Sequence, residues 1–340
     1  MAEGPLPFED IPAMEAAFGL SSAGGQGNLR PYIVHNDWWV AKDWWSRLLT
    51  YQFRPSALKL PGLYRTRVFG LLARGMGKAE TLAATADLIQ TKRSTGRIRL
   101  FYLSHPPAAL TVKMIHASNT AHAARMRAEH DARTTLASLN LPLTSPPLIG
   151  DMIKAEDAIG ICEEVVTGRR FSARRDGAMF SDQLVPGLSA YWQARGTVEK
   201  TLSDVLDLPA CLKAVDQVAD KLPDDVLHAL KATALNNPRV ICGQCHGDLS
   251  PSNLTVQGGH LILLDWERSH FGPLALDLIH PVAKKPALLP RILPELEARH
   301  CPGGTTLADL FAAFILKRLT RRPSAAPRLA RFYKQACDRM

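Results

Sequence analysis

The sequence lacks several features that would define its location or class. No apolar run approaches the length of a bilayer span, which argues against a membrane-spanning chain. The six cysteines in 340 residues are few and scattered, apart from one Cys-x-x-Cys pair, so a disulfide framework is not expected. The opening MAEGPLPFED has acidic residues where a secretory leader needs a basic and then an apolar stretch. We therefore expect a cytoplasmic protein with reduced thiols.

Common catalytic and cofactor motifs are also missing or incomplete. There is no Gly-x-Ser-x-Gly elbow of a serine hydrolase, and the glycines between positions 70 and 78 do not have Walker A spacing. The run Cys242-Gly-Gln-Cys245-His246 has the spacing of a c-type haem attachment site. Haem attachment needs export, however, and no second cysteine or histidine pair lies at zinc-ligand spacing. Hydrolase, haem and zinc functions are therefore disfavoured.

What is present is the composition of a globular protein, with 46% hydrophobic and 21% charged residues and enough length for two domains. The net charge is +9, and residues 317–340, with eight Lys or Arg and one Asp, contribute +7 of it. Such a tail is typical of an amphipathic terminal helix with a solvated basic face, so no nucleic-acid partner is expected.

Residues 1–75 are predicted to form an N-terminal extension with its own helix. The segment from Asp37 to Leu49 (DWWVAKDWWSRLL) holds four tryptophans within eight residues and places Trp38 and Trp45 near one face at helical spacing. Two interpretations stay open. The helix packs onto the main body, or it makes peripheral contact with a membrane surface, where indole rings and basic side chains are favoured. Packing is the preferred interpretation.

The remaining chain is predicted to form two further parts. Residues 76–165 have the pattern of a small antiparallel sheet, with strands at Ala84 to Thr91, at IRLFYLS and at ALTVKMI, and a helix over 121–139. Residues 166–340 are predicted to be mainly helical. They also contain a strand at 238–247 and a hairpin in LTVQGGHLILLDW that turns at Gly258-Gly259.

The densest cluster of chemistry-bearing residues is the loop HGDLSPSN (246–253), followed by Asp265 in LLDWE. The predicted hairpin between Asn253 and Asp265 brings the two residues back to the same loop. One carboxylate and one amide oxygen suit Mg²⁺, which keeps several waters and also binds nucleotide phosphates. Phosphoryl transfer further needs a carboxylate beside the accepting hydroxyl, and Asp248, after a strand, suits that position.

These motifs resemble the aminoglycoside phosphotransferase and choline kinase family, whose fold is related to that of the protein kinases. HGDLSPSN is similar to its catalytic loop, and LLDWERSHFGPLALDL is similar to its metal-binding segment. The resemblance, weaker elsewhere but extending over about residues 82–285, implies an α+β, bilobal protein-kinase-like fold. A small antiparallel-sheet N-lobe and a mainly helical C-lobe would follow the helical N-terminal extension.

The resemblance also implies roles for residues of the loop. Asp248 would be the catalytic base and His246 would orient the loop. Asn253 and Asp265 would be the magnesium ligands. Asp277 would brace the loop as a structural acid.

Nucleotide-binding roles follow from the same resemblance. Lys113, mid-strand among apolar residues, would contact the nucleotide phosphates and pair with Glu129 on the helix, while a solubilising edge-strand lysine is the alternative. Glu164-Val165-Val166 resembles the hinge whose backbone reads adenine. Ser94-Thr95-Gly96 would cover the phosphates, with one glycine where protein kinases have three.

The preferred hypothesis is a kinase that uses ATP or GTP with Mg²⁺ to phosphorylate a hydroxyl of a sugar, an amino alcohol or an aminoglycoside-like acceptor. Six aspartates between 204 and 225 would suit a cationic acceptor, and exposed helix faces explain them equally well.

The alternative is a catalytically silent pseudokinase or scaffold. The N-terminal segment loosely resembles phosphotransferase-family proteins associated with bacterial surface-polysaccharide biosynthesis. A protein kinase is disfavoured, because the chain has no HRD-type loop. The oligomeric state is not predicted.

Overall fold

The structure, a computed structural model, describes residues 5–20, 29–43, 46, 77–103, 105, 108–141 and 143–340. Contacts divide the chain into two compact units. The first comprises Met1–Ser138 and Ser145–Arg169, and the second comprises Leu139–Thr144 and Arg170–Met340. Within the described ranges, no helix combines the length and the apolar character that a membrane span requires.

The first unit is built on an antiparallel sheet. Its strands are β1 (Leu29–His35), β2 (Trp38–Ala41), β3 (Lys78–Ala83), β4 (Leu88–Lys92), β5 (Arg97–Tyr102), β6 (Leu110–His116), β8 (Ile153–Ala155) and β9 (Ala158–Glu164), while β7 (Leu143–Thr144) belongs to the second unit. The described strands pair in the order β3-β1-β2-β4-β5-β6-β9-β8, and every neighbouring pair is antiparallel. The predicted strands around IRLFYLS and ALTVKMI are confirmed as β5 and β6.

The helix predicted over residues 37–49 is wrong where the structure describes it, because Trp38–Ala41 is strand β2. Side chains of a strand alternate between the two sheet faces. Trp38 and Val40 accordingly pack in one apolar cluster, whereas Trp39 and Ala41 contribute to another. Both faces of the strand are thus used in packing. Residues 44, 45 and 47–49 lie outside the described residues.

The single strand predicted over Ala84 to Thr91 is also wrong, since β3 ends at Ala83 and β4 begins at Leu88. The cause lies in α1 (Ile11–Ala17). The buried carboxylate of Glu15 accepts hydrogen bonds from the backbone N–H groups of Thr85 at 2.7 Å and Ala86 at 3.2 Å. These two residues therefore interrupt the strand and fasten α1 to the sheet.

The sheet is covered on both faces. Ile11 and Met14 of α1 pack with Val112 and Met114 of β6 on one face. On the other face, α2 (Thr120–Ser138) packs Ala123 and Met126 against Ile115, Ile159 and Ile161. Lys113 has the same strand parity as Ile115, so its side chain lies on the face that α2 covers. The helix predicted over 121–139 is confirmed as α2.

The second unit is mainly helical, as predicted. Its helices are α3 (Gly177–Met179), α4 (Val185–Arg195), α5 (Leu208–Asp216), α6 (Asp224–Asn236), α7 (Ala275–Lys284), α8 (Leu293–His300), α9 (Leu307–Arg321) and α10 (Ala326–Cys337). Its short strands are β10 (Arg169–Arg170), β11 (Val198–Thr201), β12 (Arg239–Cys245), β13 (Leu254–Gln257), β14 (His260–Leu263) and β15 (His270–Pro273). They form two small sheets, β10-β13-β14-β7 and β11-β12-β15. The predicted α+β class is confirmed.

Helix α9 organises the core of the second unit, with buried residues from Leu310 to Leu316 that pack against α5, α6, α7 and α10. Thr306 and Asp309 form a capping box that fixes where α9 begins. In α10, Leu329 and Phe332 are buried whereas Arg328 and Arg331 are exposed. The prediction of an amphipathic terminal helix is confirmed.

Candidate active site

The loop HGDLSPSN lies between β12 and the hairpin of β13 and β14, as the sequence predicted. Residues 251–253 form one 3₁₀ turn, and the hairpin then pairs Leu254 with Leu263. The backbone N–H of Leu264 donates to the carbonyl oxygen of Asn253 at 2.8 Å, which extends the pairing by one step. Asp265, the next residue, is therefore returned to the start of the hairpin beside Asn253.

His246 sits beneath this loop with none of its surface exposed. Its Nδ1 accepts a hydrogen bond from the backbone N–H of Asp248 at 3.2 Å, so its Nε2 carries the proton and donates to the carbonyl oxygen of Leu264 at 3.0 Å. Its ring packs edge-on to buried Trp266 at 4.8 Å. Burial lowers the pKa of His246, which keeps the ring neutral. His246 thus positions the loop and cannot reach a ligand.

Asp277, in the first turn of α7, holds the same loop from the other side. Its two carboxylate oxygens accept hydrogen bonds from the backbone N–H groups of His246 and Gly247. Gly247 has φ of +79°, and a Cβ there would clash with the carbonyl oxygen of Arg268 and lie 2.7 Å from Nδ1 of His270. The glycine is therefore required by both conformation and close approach.

Asp248 is the loop carboxylate that reaches solvent, with 26% of its side chain exposed. One oxygen lies 4.0 Å from Nε of Arg268 and the other lies 4.0 Å from Nδ1 of His280. Burial, and then the positive charges of Lys284, Arg318 and Arg268, lower the pKa of His280 to about 3. His280 is therefore neutral near pH 7, and Arg268 is a cation within reach of the carboxylate.

Asn253 and Asp265, the predicted metal ligands, fit a hard cation. The Asn253 amide N–H₂ donates to the carbonyl oxygen of Asp248 at 2.8 Å. Its buried amide oxygen has no hydrogen-bond partner in the described structure. Asp265 follows Leu264, whose backbone pairs with that of Asn253, and an amide oxygen together with a carboxylate is a donor set that Mg²⁺ accepts beside water and phosphate oxygens. Among the described residues there is no cluster of three or more His, Cys, Asp or Glu suited to a metal.

In the first unit, Lys113 lies within a buried network of four charges. Its Nζ is 2.5 Å from Oε1 of Glu129 on α2 and 3.3 Å from Oε1 of Glu163 on β9. Nη1 of Arg133 bridges the same two carboxylates at 3.2 and 2.5 Å. Burial alone would raise the pKa of Glu163, but the charges of Lys113, Arg133 and Arg99 outweigh it and hold that pKa below its usual range.

The pairing of Lys113 with Glu129 is present, and sequence reasoning missed Glu163 and Arg133. The strand register offers a signal for Glu163, because Lys113 pairs with Ile161 and side chains two residues apart share a face. Arg133 follows Glu129 by one helical turn, a spacing at which opposite charges meet. Together the four residues fix the ammonium group of Lys113 in place.

The other predicted nucleotide-binding residues lie at turns of the first unit. Ser94 is in the 3₁₀ turn Arg93–Thr95, and Gly96 follows it with φ of +61°. Glu164 ends β9, where its backbone N–H donates to the carbonyl oxygen of Pro147 at 3.0 Å. Val166 is buried two residues later. Their predicted roles stay predictions.

Comparison with known proteins identifies the class of the second unit. The model of the phosphotransferase enzyme family matches residues 172–310, which include the HGDLSPSN loop, Asp265 and Asp277. The match covers less than half of the chain and confirms the resemblance read from those motifs. Residues 172–310 therefore define a phosphotransferase-type segment. No curated protein matches the chain.

Several solved structures are similar to the chain at low identity. A complex of an amicoumacin kinase with AMP-PNP, Ca²⁺ and Ami is 15% identical, with 74% of this chain and 88% of that chain covered and a TM-score of 0.48. The aminoglycoside phosphotransferase APH(4)-Ia is 13% identical, with 74% and 91% covered and a TM-score of 0.46. A choline/ethanolamine kinase family protein from Mesorhizobium loti is 16% identical, with 68% and 82% covered and a TM-score of 0.40. Because these TM-scores lie below 0.5, no residue role is assigned from them.

Proposed function

We propose that the protein is an ATP-dependent small-molecule kinase that transfers a γ-phosphate to a hydroxyl group of its acceptor, with GTP as the other candidate donor. The observation that carries the proposal is Asn253. Its amide N–H₂ holds the backbone at Asp248, while its buried amide oxygen has no hydrogen-bond partner in the described structure. A loop that keeps such an acceptor unpaired beside a carboxylate is suited to a cation that accompanies nucleotide phosphates. The family match to residues 172–310 supports the same function.

In this mechanism Asp248 is the base. Its solvent-accessible carboxylate accepts a hydrogen bond from the acceptor hydroxyl and takes the proton as the new O–P bond forms and the bond to the leaving diphosphate breaks. His246 and Asp277 hold the loop backbone, so the carboxylate is positioned before the acceptor binds. Positioning contributes much of the catalysis in phosphoryl transfer, because the protein supplies little covalent chemistry.

Two further groups would act on the nucleotide. Asn253 and Asp265 would hold Mg²⁺, which when bound neutralises negative charge on the phosphates. Lys113 would donate hydrogen bonds to phosphate oxygens, and Glu129 and Glu163 orient its ammonium group. An ammonium carries three donors, so two carboxylate partners leave one donor for a ligand.

The test is transfer of labelled γ-phosphate from Mg²⁺-ATP, and separately from Mg²⁺-GTP, into pooled sugars, sugar acids, sugar phosphates, choline, aminoglycosides and amino acids. We expect a labelled product with the wild-type protein and at least about a hundredfold less with Asp248→Asn, while nucleotide binding stays within twofold. Asp220→Asn, an exposed aspartate of the same unit, is the matched control and should behave as wild type.

Two results would count against the proposal in different ways. Equal transfer by wild type and Asp248→Asn would remove Asp248 from the role of base. Nucleotide binding without transfer to any member of the pool, or to a small-molecule extract, would favour the silent nucleotide-binding alternative.

A further inference from the structure

A pocket in the second unit lies against the loop that carries Asp248. Its walls come from Gly247 of the loop, from β15 at His270 and Pro273, from α7 at Leu276 and His280, and from the C-terminal half of α9. It is partly open to solvent, and the space that water-sized groups can occupy within it is about 30 Å³. A pocket of this size has room for a small anionic group of a ligand rather than for a whole metabolite.

The charge of this pocket is positive. Lys317, Arg318 and Arg321 of α9 all line it. The carboxylate in its lining, Asp277, has both oxygens engaged by the backbone of the loop. In the part of the chain that the structure describes, none of the three cations has a carboxylate within 4.0 Å. Three cations therefore face one pocket with no described carboxylate in direct contact, although the charges of Asp277 and Asp248 favour the protonated forms of Lys317 and Arg318.

Repulsion within this cluster has a cost in free energy that a bound anion would offset. Like charges three or four residues apart on a helix repel one another. Burial, and then the charges of Arg322 and Arg321, lower the pKa of Arg318, and burial lowers the pKa of Lys317. The C-terminal end of a helix favours cations in general, but it does not require that three of them line a single pocket.

The two histidines of the pocket provide further polar groups and connect it to Asp248. His270 donates from Nδ1 to the carbonyl oxygen of Arg268 at 2.9 Å, so its Nε2 can accept from Nζ of Lys317 at 3.5 Å. The buried Nε2 of His280 has no hydrogen-bond partner in the described structure, while its Nδ1 lies 4.0 Å from Oδ1 of Asp248. One side chain thus borders both the basic pocket and the proposed base.

We propose that the acceptor is an anion, a hydroxylated small molecule with a phosphate or carboxylate group. Lys317, Arg318 and Arg321 bind that group, and the hydroxyl to be phosphorylated faces Asp248. This inference rests on the proposed kinase function. It is opposite in sign to the cationic acceptor that the aspartates at 204–225 would suit, and exposed helix faces explain those aspartates equally well.

The binding arm of the test uses inorganic phosphate as the probe. Equilibrium dialysis of [³²P]phosphate at constant ionic strength is compared among full-length wild type, Lys317→Gln/Arg321→Gln and the control Arg322→Gln/Arg331→Gln. Each double substitution removes two positive charges, and the control residues are exposed and do not line the pocket. We expect phosphate to bind at least tenfold more weakly to the pocket variant than to wild type or the control. Equal affinity for all three proteins would overturn the inference.

The transfer arm compares acceptors matched in shape but not in charge. Gluconate and glucose 6-phosphate are compared with glucose as the neutral acceptor and with kanamycin and choline as cations. The inference predicts an initial rate of transfer to gluconate, to glucose 6-phosphate or to both that is at least tenfold higher than the rate to glucose, kanamycin or choline. It also predicts a KM for that acceptor that rises at least tenfold in the pocket variant with kcat changed less. Faster transfer to glucose, kanamycin or choline would overturn it while leaving the kinase function intact. If nucleotide neither binds nor reacts, the kinase function fails, and the dialysis result still decides whether the pocket holds an anion.

Discussion

Replacement of Lys113 by methionine separates the structural role of this residue from its proposed catalytic role. The side chain is 4% exposed, and its ammonium lies within 3.3 Å of two carboxylates. Lys113 and Arg133 both contact the two carboxylates, so Lys113→Met removes one of these two cations, while Arg133 and the charge of Arg99 near Glu163 remain. Removing one partner from a buried ion pair typically costs about 3–5 kcal/mol. We expect a loss of unfolding free energy in that range.

A second substitution restores the balance of charge. In Lys113→Met/Glu163→Gln, Arg133 and Glu129 are the two ions left of the four-residue network, and the glutamine oxygen can still accept a hydrogen bond from Arg133. The double variant should recover at least about half of the lost stability, since it no longer buries an unpaired carboxylate. It should not recover phosphoryl transfer, because no ammonium is present to contact the phosphates.

The assay is urea unfolding of the full chain, followed by tryptophan fluorescence and circular dichroism, together with transfer of labelled phosphate. Lys154→Met is the matched control, since it makes the same substitution at an exposed strand position of the same unit and should change stability by less than about 0.5 kcal/mol. If Lys113→Met unfolds at the wild-type urea concentration, the network contributes no net stability. Recovery of transfer in the double variant would refute the phosphate-binding role.

Three further variants test the second unit. Gly247→Ala should lower the unfolding free energy by about 1–3 kcal/mol and remove most transfer activity, because the φ of Gly247 is positive and a Cβ there would clash. Gly258 also has a positive φ but open space around it, so Gly258→Ala should lose about 1 kcal/mol of unfolding free energy and keep its activity. Chemical unfolding and transfer rates test both expectations. Asn253→Ala should raise the Mg²⁺ concentration for half-maximal nucleotide binding at least tenfold, and an unchanged Mg²⁺ titration would contradict its role as a ligand. His300→Phe should flatten the pH dependence of stability between pH 6.5 and 4. Burial lowers the pKa of His300 to about 4, so the unfolded state binds a proton as pH falls below 6.5 while the folded state does not, and the unfolding free energy falls by up to about 1.4 kcal/mol per pH unit. Urea unfolding at each pH measures this dependence. If the variant showed the same change of unfolding free energy with pH as the wild type, His300 would not be its cause.

The site loop was predictable from the sequence because its determinants are local. A strand, a loop with a positive-φ glycine and a Gly-Gly hairpin follow one another within about twenty residues, and each has a short-range sequence signal. The N-terminal strands were not predictable in the same way. β2 is a strand because it pairs with β1 and β4 and buries residues on both faces. The pattern of apolar residues within Trp38–Ala41 does not indicate these pairing partners.

The adjacent residues Glu163 and Glu164 show that the sequence of one strand also leaves single contacts unspecified. Reasoning from the sequence named Glu164 as part of the segment that resembles the hinge, and it missed Glu163, which contacts Lys113. In a strand these two side chains point to opposite faces. Which one meets Lys113 depends on the pairing of β6 with β9, where Lys113 lies opposite Ile161. A shift of register by one residue would exchange them, and the sequence of either strand alone does not specify register.

Charge counts along the chain left the charge of the acceptor open for a related reason. The aspartates between 204 and 225 have local structural uses: Asp207 caps α5, Asp216 pairs with Lys231, and Asp224 and Asp225 lie in the first turn of α6. Most of the basic residues of the tail, 317–340, lie on two different helices, the end of α9 and α10. Its cations on α9 at 317, 318 and 321 line the pocket, whereas those on α10 at 328 and 331 do not. Recognition depends on which charges share a pocket rather than on which are neighbours in the chain. The acceptor proposed from the pocket is an anion, although the sequence window near the predicted substrate helices is acidic.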